Sequence, residues 1–156
     1  MSLRLFSGLN RQIPEVERKI VKFAVGPIHA AVDIMHVREI ILPREISAVA
    51  SEDKSIIGIL DHRDAAIPVV DLRRRFKSGD TGNQRQKWII IAIEEKIFAL
   101  VVDSVFGVMK VQQNQQRDRS ALGATDVRWA AEVYGDSDGL IFEIDLVQLA
   151  NSISSN

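Results

Sequence analysis

Residues 65–76 read AAIPVVDLRRRF, an apolar run around Pro68 that stops at Asp71 and continues into three arginines. The β-branched residues of 67–70 predict a short strand. Because proline donates no backbone hydrogen bond, Pro68 predicts a strand start or a sheet edge. Asp71 is predicted to cap the turn that follows, with the arginines at 73–75 on its solvent side. An enzyme, a nucleic-acid binder and a structural turn would each use these residues differently, so the rest of the sequence has to decide.

The composition narrows the function classes. The chain has 156 residues, 46% of them apolar and 26% charged, which fits one globular domain or two small lobes that share a core. It has no cysteine, which excludes disulfides, thiolate catalysis and cysteine-ligated metal sites. The net charge of -1 gives no global attraction to nucleic acid or anionic lipid. No apolar run reaches the roughly 18 residues of a membrane span, and residues 1–10 lack the apolar core of a signal peptide, so we predict a cytoplasmic protein.

Short strands are predicted along the whole chain. Alternating apolar residues predict a hairpin around Gly26-Pro27, and the Asp- and Gly-rich segment 135–139 predicts a second hairpin. A loop without apolar residues is predicted at 77–86. The other predicted elements are a bent strand at 34–41, one helical turn at 51–57 closed by Gly58, strands at 59–60, 67–70, 88–93 and 97–102, an extension of the last strand through Val105, Val108 and Val111, and a C-terminal helix capped by Asp145.

One pattern occurs in both halves of the chain. Residues 30–33 (AAVD) and 100–103 (LVVD) each follow an apolar strand and a turn, and each leads into further valine-rich sequence. This repeat predicts two related β lobes, with the loop at 77–86 between them.

Few residues offer an enzyme site. His36 and Glu39, three positions apart, could bind a metal ion with His62. Residues at this spacing share a face only on a helix, however, and the segment is rich in β-branched residues, which favour a strand. Asp71 and Asp103 could form a carboxylate pair, but each ends an apolar strand, where aspartate commonly accepts backbone hydrogen bonds. The sequence contains no G-x-S-x-G motif and no phosphate-binding glycine loop, so structural roles are favoured.

The remaining candidates concern binding. The arginines at 73–75 could contact phosphate, but a solvated turn explains them equally well in a chain of net charge -1. The chain has more apolar residues than the cores of two small lobes require. The additional ones are either part of the core or the anchors of a protein-binding groove with a charged rim. The candidate anchors and rim residues are Val37, Val105, Val108, Met109, Arg38, Glu39 and Arg63.

Five short motifs occur in a specific order between about residues 20 and 150. They are Phe23–Gly26 (F-x-x-G), Val37–Ile40 (V-x-E-I), Ile56–Arg63 (I-x-G-x-x-x-x-R), Ile67–Leu72 (I-P-x-x-D-L) and Val102–Val105 (V-D-x-V). Each motif alone is short and apolar. Together, in this order and at this spacing, they resemble the CheW-like domain of bacterial chemosensory systems.

The resemblance implies a fold and a domain organisation. The fold class is all-β, with two SH3-like, five-stranded β-barrel lobes that share a core and a C-terminal helix. The polar start of the chain, residues 1–18, is expected to be a flexible leader. The expected boundaries are 19–156 for the CheW-like domain, 37–105 for one lobe, 19–36 plus 106–144 for the other, and 145–152 for the helix.

The resemblance also implies a function. The chain would be a non-enzymatic adaptor that couples methyl-accepting chemoreceptors to a CheA-type histidine kinase in chemotaxis or a related motility system. It would use no cofactor or metal, bind no nucleic acid and insert into no membrane, and assembly with copies of itself is left open. The positions that carry over to the receptor or kinase contact are Val37, Glu39, Arg63 and Val108, with an ion pair between Glu39 and Arg63.

One turn departs from the family pattern. Where the family usually has Asn-Leu-Arg-Gly, this chain has Asp61-His62-Arg63-Asp64. Because aspartate adopts a positive φ only at some cost, we expect a reshaped turn beside the partner groove. The alternative function is a small metal-dependent or hydrolytic enzyme that uses His36, Glu39, His62 and Asp71.

Overall fold

The computed structural model describes residues 18–77, 86–118 and 129–154. The predicted leader lies outside these residues except for Arg18, and the predicted loop at 77–86 does so except for its two ends. The strands are β1 (Arg18–Val25), β2 (Ile28–Asp33), β3 (Val37–Ile41), β4 (Ile56–His62), β5 (Ala65–Asp71), β6 (Lys87–Ile93), β7 (Lys96–Val102), β8 (Ser104–Val111), β9 (Gln116–Arg117), β10 (Ala130–Asp136) and β11 (Gly139–Ile144). The helices are α1 (Leu72–Arg75) and α2 (Leu146–Ser154), with 3-10 turns at Ile34–His36 and Gln113–Gln115.

The strands form two sheets with the same internal order. The six-stranded sheet runs β8-β1-β2-β11-β10-β9, and the five-stranded sheet runs β3-β6-β7-β5-β4. In each sheet a hairpin, β1–β2 or β6–β7, is followed in sequence by a strand that crosses into the other sheet. The second strand of each hairpin also pairs in parallel with a strand of another hairpin, β2 with β11 and β7 with β5. The repeated motif, which ends at Asp33 and Asp103, therefore marks the two crossovers.

One apolar core lies between the two sheets. Side chains of β1 and β2 pack there against side chains of β6 and β7, and α2 adds Leu146, Leu149 and Ala150. Asp145 begins this helix as predicted, because its carboxylate accepts a hydrogen bond from the backbone N–H of Gln148 at 3.0 Å. Each fully buried aliphatic side chain contributes roughly 1.5–3 kcal/mol, so this shared core is the main link between the sheets.

The predicted all-β class with a C-terminal helix is confirmed. The six-stranded sheet has one strand more than predicted, the two-residue β9. β3 to β7 make up the five-stranded sheet. The prediction that the segment 77–86 separates the two lobes was wrong, because the strands before and after it, β5 and β6, belong to this one sheet. The lobe boundaries stay a prediction. None of the helices in the described part of the chain is long and apolar enough to cross a membrane.

The predicted helical turn at 51–57 was wrong. The carboxylate of Asp53 accepts hydrogen bonds from the backbone N–H and the hydroxyl of Ser55 at 2.9 and 2.6 Å, and this turn leads directly into β4. Gly58 closes no helix and lies within β4, where a Cβ atom would come 2.6 Å from the backbone oxygen of Ser47. Glycine is needed there because the segment around Ser47 crosses close to the strand.

The predicted extension of the strand at 97–102 was also wrong. β7 ends at Val102, and the backbone N–H of Asp103 donates to the oxygen of Ala24 at 2.9 Å. The chain then pairs with β1 as β8, so residues 104–111 belong to the other sheet. A run of valines gives no sign of such a crossover, because both strands are apolar.

The stretch at 65–76 folds as a strand and a cap, with two corrections. Pro68 lies in the middle of β5, an internal strand, and not at a strand start or a sheet edge as predicted. The parallel pairing of β5 with β7 begins one residue after it, at Val69. Asp71 caps α1 as predicted, accepting from the backbone N–H of Arg73 at 3.0 Å. Of the three arginines only Arg74 faces solvent, with a side chain 62% exposed, while Arg73 and Arg75 are 12% and 25% exposed.

Candidate functional site

An ion pair between β3 and the β4–β5 turn forms the centre of the candidate site. The carboxylate of Glu39 accepts two hydrogen bonds from the guanidinium of Arg63, with Nε–Oε2 at 2.8 Å and Nη2–Oε1 at 3.2 Å. The side chain of Arg63 is 74% exposed, and that of Glu39 is 29% exposed. Two parallel hydrogen bonds fix the orientation of both groups. The predicted ion pair is therefore present, and it lies at the surface.

The turn that carries Arg63 is a tight hairpin turn. Its two central residues, Arg63 and Asp64, have φ values of 51° and 66°, and His62 pairs with Ala65 across it. Positive φ at both central positions gives a turn whose twist matches that of the flanking strands. Aspartate adopts this conformation more readily than most residues other than glycine. Asp64 is thus accommodated in a two-residue turn.

His62 also contacts the carboxylate of Glu39, and Arg44 contacts His62 in turn. Nε2 of His62 lies 3.0 Å from Oε2 of Glu39, and Nδ1 of His62 lies 3.0 Å from Nη1 of Arg44. Nη2 of Arg44 also donates to the backbone oxygen of Asp61 at 3.1 Å. His62 is only 9% exposed, so the side chain that supports Glu39 is buried, while Arg44 beyond it is exposed.

The surroundings of Glu39 favour its charged form. The hydrogen bonds from Arg63, followed by the one from His62, lower the pKa of Glu39 to about 2. The hydrogen bond to Glu39 in turn raises the pKa of Arg63. A general acid or base works best with a pKa near the working pH. Glu39 is therefore suited to a lasting electrostatic contact and poorly suited to proton transfer.

Val37 and Glu39 face opposite sides of β3. The register shifts between them, so that Val37 pairs with Ile91 and Glu39 pairs with Ile90. In a regular strand, side chains two positions apart point to the same face. The extra residue of this bulge places the side chains of Val37 and Glu39 on opposite faces. Val37 packs, partly buried, against the core between the sheets. Val37 therefore packs behind the site, on the core side of β3.

Val108 lies on the other sheet, on the edge strand β8. It pairs with Val21 of β1, and it is 56% exposed, while the nearby Phe106 is 54% exposed. Exposed apolar side chains also lie in or next to the other crossing strand, β3: Met35, Ile40 and Leu42. Both strands that change sheets therefore carry apolar side chains at the surface, a composition typical of protein contacts.

The residues of the enzyme hypothesis have separate roles. Asp71 caps α1 and binds Nε of Arg73 at 3.0 Å, and Nη1 of the same arginine lies 3.7 Å from Asp103. His36 ends the 3-10 turn before β3. Glu39 and His62 do meet, but within the described ranges no three His, Asp or Glu side chains are grouped so that they could hold a metal ion.

Sequence reasoning missed Arg44 and assigned His62 to another role. Arg44 follows Pro43 in a segment without regular structure, and it contacts a histidine 18 positions away. No local pattern connects residues at that distance. For His62 a signal was available, because it directly precedes the arginine that was predicted to pair with Glu39. A polar residue at that inward position of β4 needs a partner nearby.

These features define a class of protein. Two sheets with a shared core, an exposed ion pair with buried support, and apolar side chains on two surface strands are the features of a protein-binding module. A family model for the CheW-like domain matches residues 19–154, and the chain belongs to this family. The family predicted from the sequence is confirmed.

Individual relatives agree with this assignment. The chain is 26% identical over 102 residues to a probable chemotaxis protein CheW of Rhizobium etli, a match that covers 65% of this chain and 66% of that protein. It is 24% identical over 111 residues to a chemotaxis protein CheW of Klebsiella aerogenes, covering 70% of this chain and 67% of that protein. The crystal structure of the scaffolding protein TtCheW from Thermoanaerobacter tengcongensis superposes with a TM-score of 0.74 at 27% identity, covering 83% of this chain and 90% of that one.

Proposed function

We propose that this chain is a chemotaxis scaffold that couples methyl-accepting chemoreceptors to a CheA-type histidine kinase and catalyses no reaction. The observation that carries the proposal is the exposed Glu39–Arg63 pair, held by two hydrogen bonds at the tip of a tight hairpin. A preoriented charged pair steers a partner and fixes its register. The relatives named as chemotaxis and scaffolding proteins support the same role.

Apolar anchors supply the affinity in this proposal. Val108 and Phe106 on β8 expose more than half of their surface, and each would lose that surface to water-free contact in a complex. Glu39 and Arg63 supply the charged contacts to the bound protein in this proposal. Val37 contributes by supporting β3 from the core side.

The absence of catalysis follows in this proposal from what the polar groups already do. Asp71 and Asp103 share Arg73 and bind backbone N–H groups, and the pKa of Glu39 is lowered to about 2. An adaptor instead shifts the kinase between states by binding one state better than the other. Such a role places the protein in the cytoplasm with the kinase and the receptor tip, and further copies could join the same assembly.

A binding assay tests the proposal with two variants and two matched controls. Arg63→Ala and Val108→Glu should each weaken binding to a cytoplasmic tip fragment of a receptor from the same organism by at least about tenfold, the scale of a hot-spot truncation. The same changes at exposed positions elsewhere, Arg74→Ala on α1 and Val147→Glu on α2, should leave binding within about twofold.

Isothermal titration calorimetry gives the affinities, and thermal unfolding shows whether each variant is folded. A wild-type chain that binds neither the receptor tip nor a kinase regulatory fragment would contradict the proposal. So would a pair of test variants that bind normally, or that unfold well below the controls, because the residues would then be structural.

A further inference from the structure

A chain of four side chains runs from the exposed Arg63 through the buried His62 and returns to the surface at Arg44. Arg63 is bound to Glu39, Glu39 to His62, and His62 to Arg44, with the last two contacts at 3.0 Å each. Exposure falls along this chain from the open Arg63 to the buried His62. The ion pair therefore has a second, internal layer of support.

The hydrogen-bond partners of His62 determine which nitrogen of its neutral ring carries the proton. A guanidinium has donors and no acceptor, so Nδ1 of His62 must accept the hydrogen bond from Arg44. The proton of the neutral ring is then on Nε2, where it donates to Oε2 of Glu39. Arg44 is itself fixed by the backbone oxygen of Asp61. The contacts thus select one tautomer of the imidazole.

This tautomer has a consequence for Glu39. Oε2 receives one hydrogen bond from Nε of Arg63 and one from His62, and Oε1 receives one from Nη2 of Arg63. Donors from two directions hold the carboxylate in one orientation before a partner arrives. Ordering a rotamer-rich side chain at an interface weakens binding, and a preorganised side chain avoids that loss.

We propose that His62 and Arg44 are positioning residues for partner binding: Arg44 selects the Nε2–H tautomer of His62, and His62 preorients the carboxylate of Glu39. This inference rests on the proposed function, because it assigns a role in the same contact. His62 and Arg44 themselves need not touch the partner.

Titration calorimetry with the receptor tip fragment tests the positioning role on the full chain. His62→Ala should weaken binding by about 3- to 10-fold, the scale of one ordered side chain. His62→Gln keeps an N–H donor near the position of Nε2 and should restore binding to within about twofold of the wild type. Arg44→Ala should weaken binding by about 2- to 5-fold, because the tautomer is no longer selected.

Two results would overturn the inference. One is His62→Ala binding as tightly as the wild type, and the other is His62→Gln binding as weakly as His62→Ala. Thermal unfolding of each variant is the folding control. If His62→Ala does not fold, Arg44→Ala and His62→Gln still decide the question, since Arg44 lies at the surface.

An NMR measurement separates this inference from the proposed function. Long-range ¹H–¹⁵N spectra of the free protein at neutral pH should show the Nε2–H tautomer of His62, and Arg44→Ala should produce a tautomer mixture. An Nδ1–H ring or an imidazolium would refute the positioning network whether or not any partner binds. A wild-type chain that shows the expected tautomer and binds no receptor or kinase fragment would refute the proposed function alone.

Discussion

The two sheets of the molecule have the same strand order and different interiors. Trp88 on β6 pairs with Val101, two positions before Asp103, and Lys22 on β1 pairs with Ala31, two positions before Asp33. Trp88 and Lys22 therefore occupy equivalent places in the two hairpins, and both are buried. One sheet fills this place with an indole and the other with an ammonium group.

The surroundings of the two residues differ accordingly. Trp88 belongs to an apolar cluster on the face of the five-stranded sheet away from the shared core, together with Leu60, Ile67, Val69, Ile90, Ala99 and Val101. The corresponding face of the six-stranded sheet has a smaller apolar cluster, formed by Ile20, Ala31, Tyr134 and Ile141, and it also carries ion pairs. They join Lys22 to Asp136 at 2.8 Å and Arg18 to Asp33 at 3.0 Å, and Arg18 and Tyr134 both bind Glu143.

This difference shows that strand order and interior chemistry are separable. The shared core needs the same alternation of apolar residues in both hairpins, so the order of strands is maintained. The outer faces are free to use either apolar packing or charge. The contribution of apolar packing to stability does not depend on pH, whereas the contribution of an ion pair changes with pH where one of its members titrates. The two sheets should therefore respond differently to mutation and to pH.

The largest effect is expected for the apolar face. Trp88→Ala should lower the free energy of unfolding by about 3–5 kcal/mol, because it removes a large buried side chain and leaves a cavity. Urea unfolding followed by circular dichroism measures this loss. The loss should be the same between pH 5 and pH 8. A pH-dependent loss would mean that this face also relies on charged groups.

A smaller effect is expected for the charged face. Lys22→Met should lower the free energy of unfolding at pH 7 by about 1–3 kcal/mol, because the carboxylate of Asp136 loses its partner in a largely buried place. The same urea experiment measures this value. Leu100→Met on β7, a conservative change in the shared core, is the control for a methionine in the interior.

The pH dependence of Lys22→Met follows from the pKa of Asp136. Burial, the largest single influence, raises the pKa of Asp136, but the hydrogen bonds from Lys22 and from the backbone N–H of Asp138, together with the charge of Lys22, outweigh burial and lower the pKa below the usual 3.8. A lowered pKa contributes stability above about pH 3.8 that is lost as the pH falls through the folded-state value. The difference between wild type and Lys22→Met should therefore shrink as the pH falls below 4. A difference that stays constant down to pH 2 would refute the assigned ion pair.

The smallest effect on stability is expected for the exposed ion pair. Arg63→Ala should leave the urea midpoint almost unchanged, because an exposed pair contributes little to folding. The same change should raise the pKa of Glu39 from about 2 toward its usual 4.5, because the hydrogen bonds from Arg63 contribute most to lowering that pKa. NMR titration of the Glu39 carboxyl measures this shift. An unchanged pKa would mean that His62 alone holds the carboxylate.

The sequence predicted the elements that depend on local patterns. Alternating residues and turn signals predicted the hairpins β1–β2 and β10–β11, and Asp71 and Asp145 were predicted caps that the structure confirms. Contacts between distant segments were not predictable in the same way. Gly58 is required by a crossing segment around Ser47, which no local pattern reveals.

The candidate site was predicted in part. The pair of Glu39 and Arg63 and the exposed Val108 agree in geometry with the prediction, although their role in binding stays a prediction. The bulge that turns Val37 away from Glu39 was missed, because a one-residue register shift leaves no mark in the sequence. The support from Arg44 was missed because it depends on a contact between segments.

A single NMR titration tests the central claim most directly. The ¹⁵N-labelled chain is mixed with an unlabelled receptor tip fragment, and the change of each backbone amide signal is mapped. We expect the strongest changes at Glu39, Arg63 and Val108, and little change around Tyr134 and Glu143 on the charged face. Strong changes confined to the charged face, with none at the ion pair or on β8, would contradict the account.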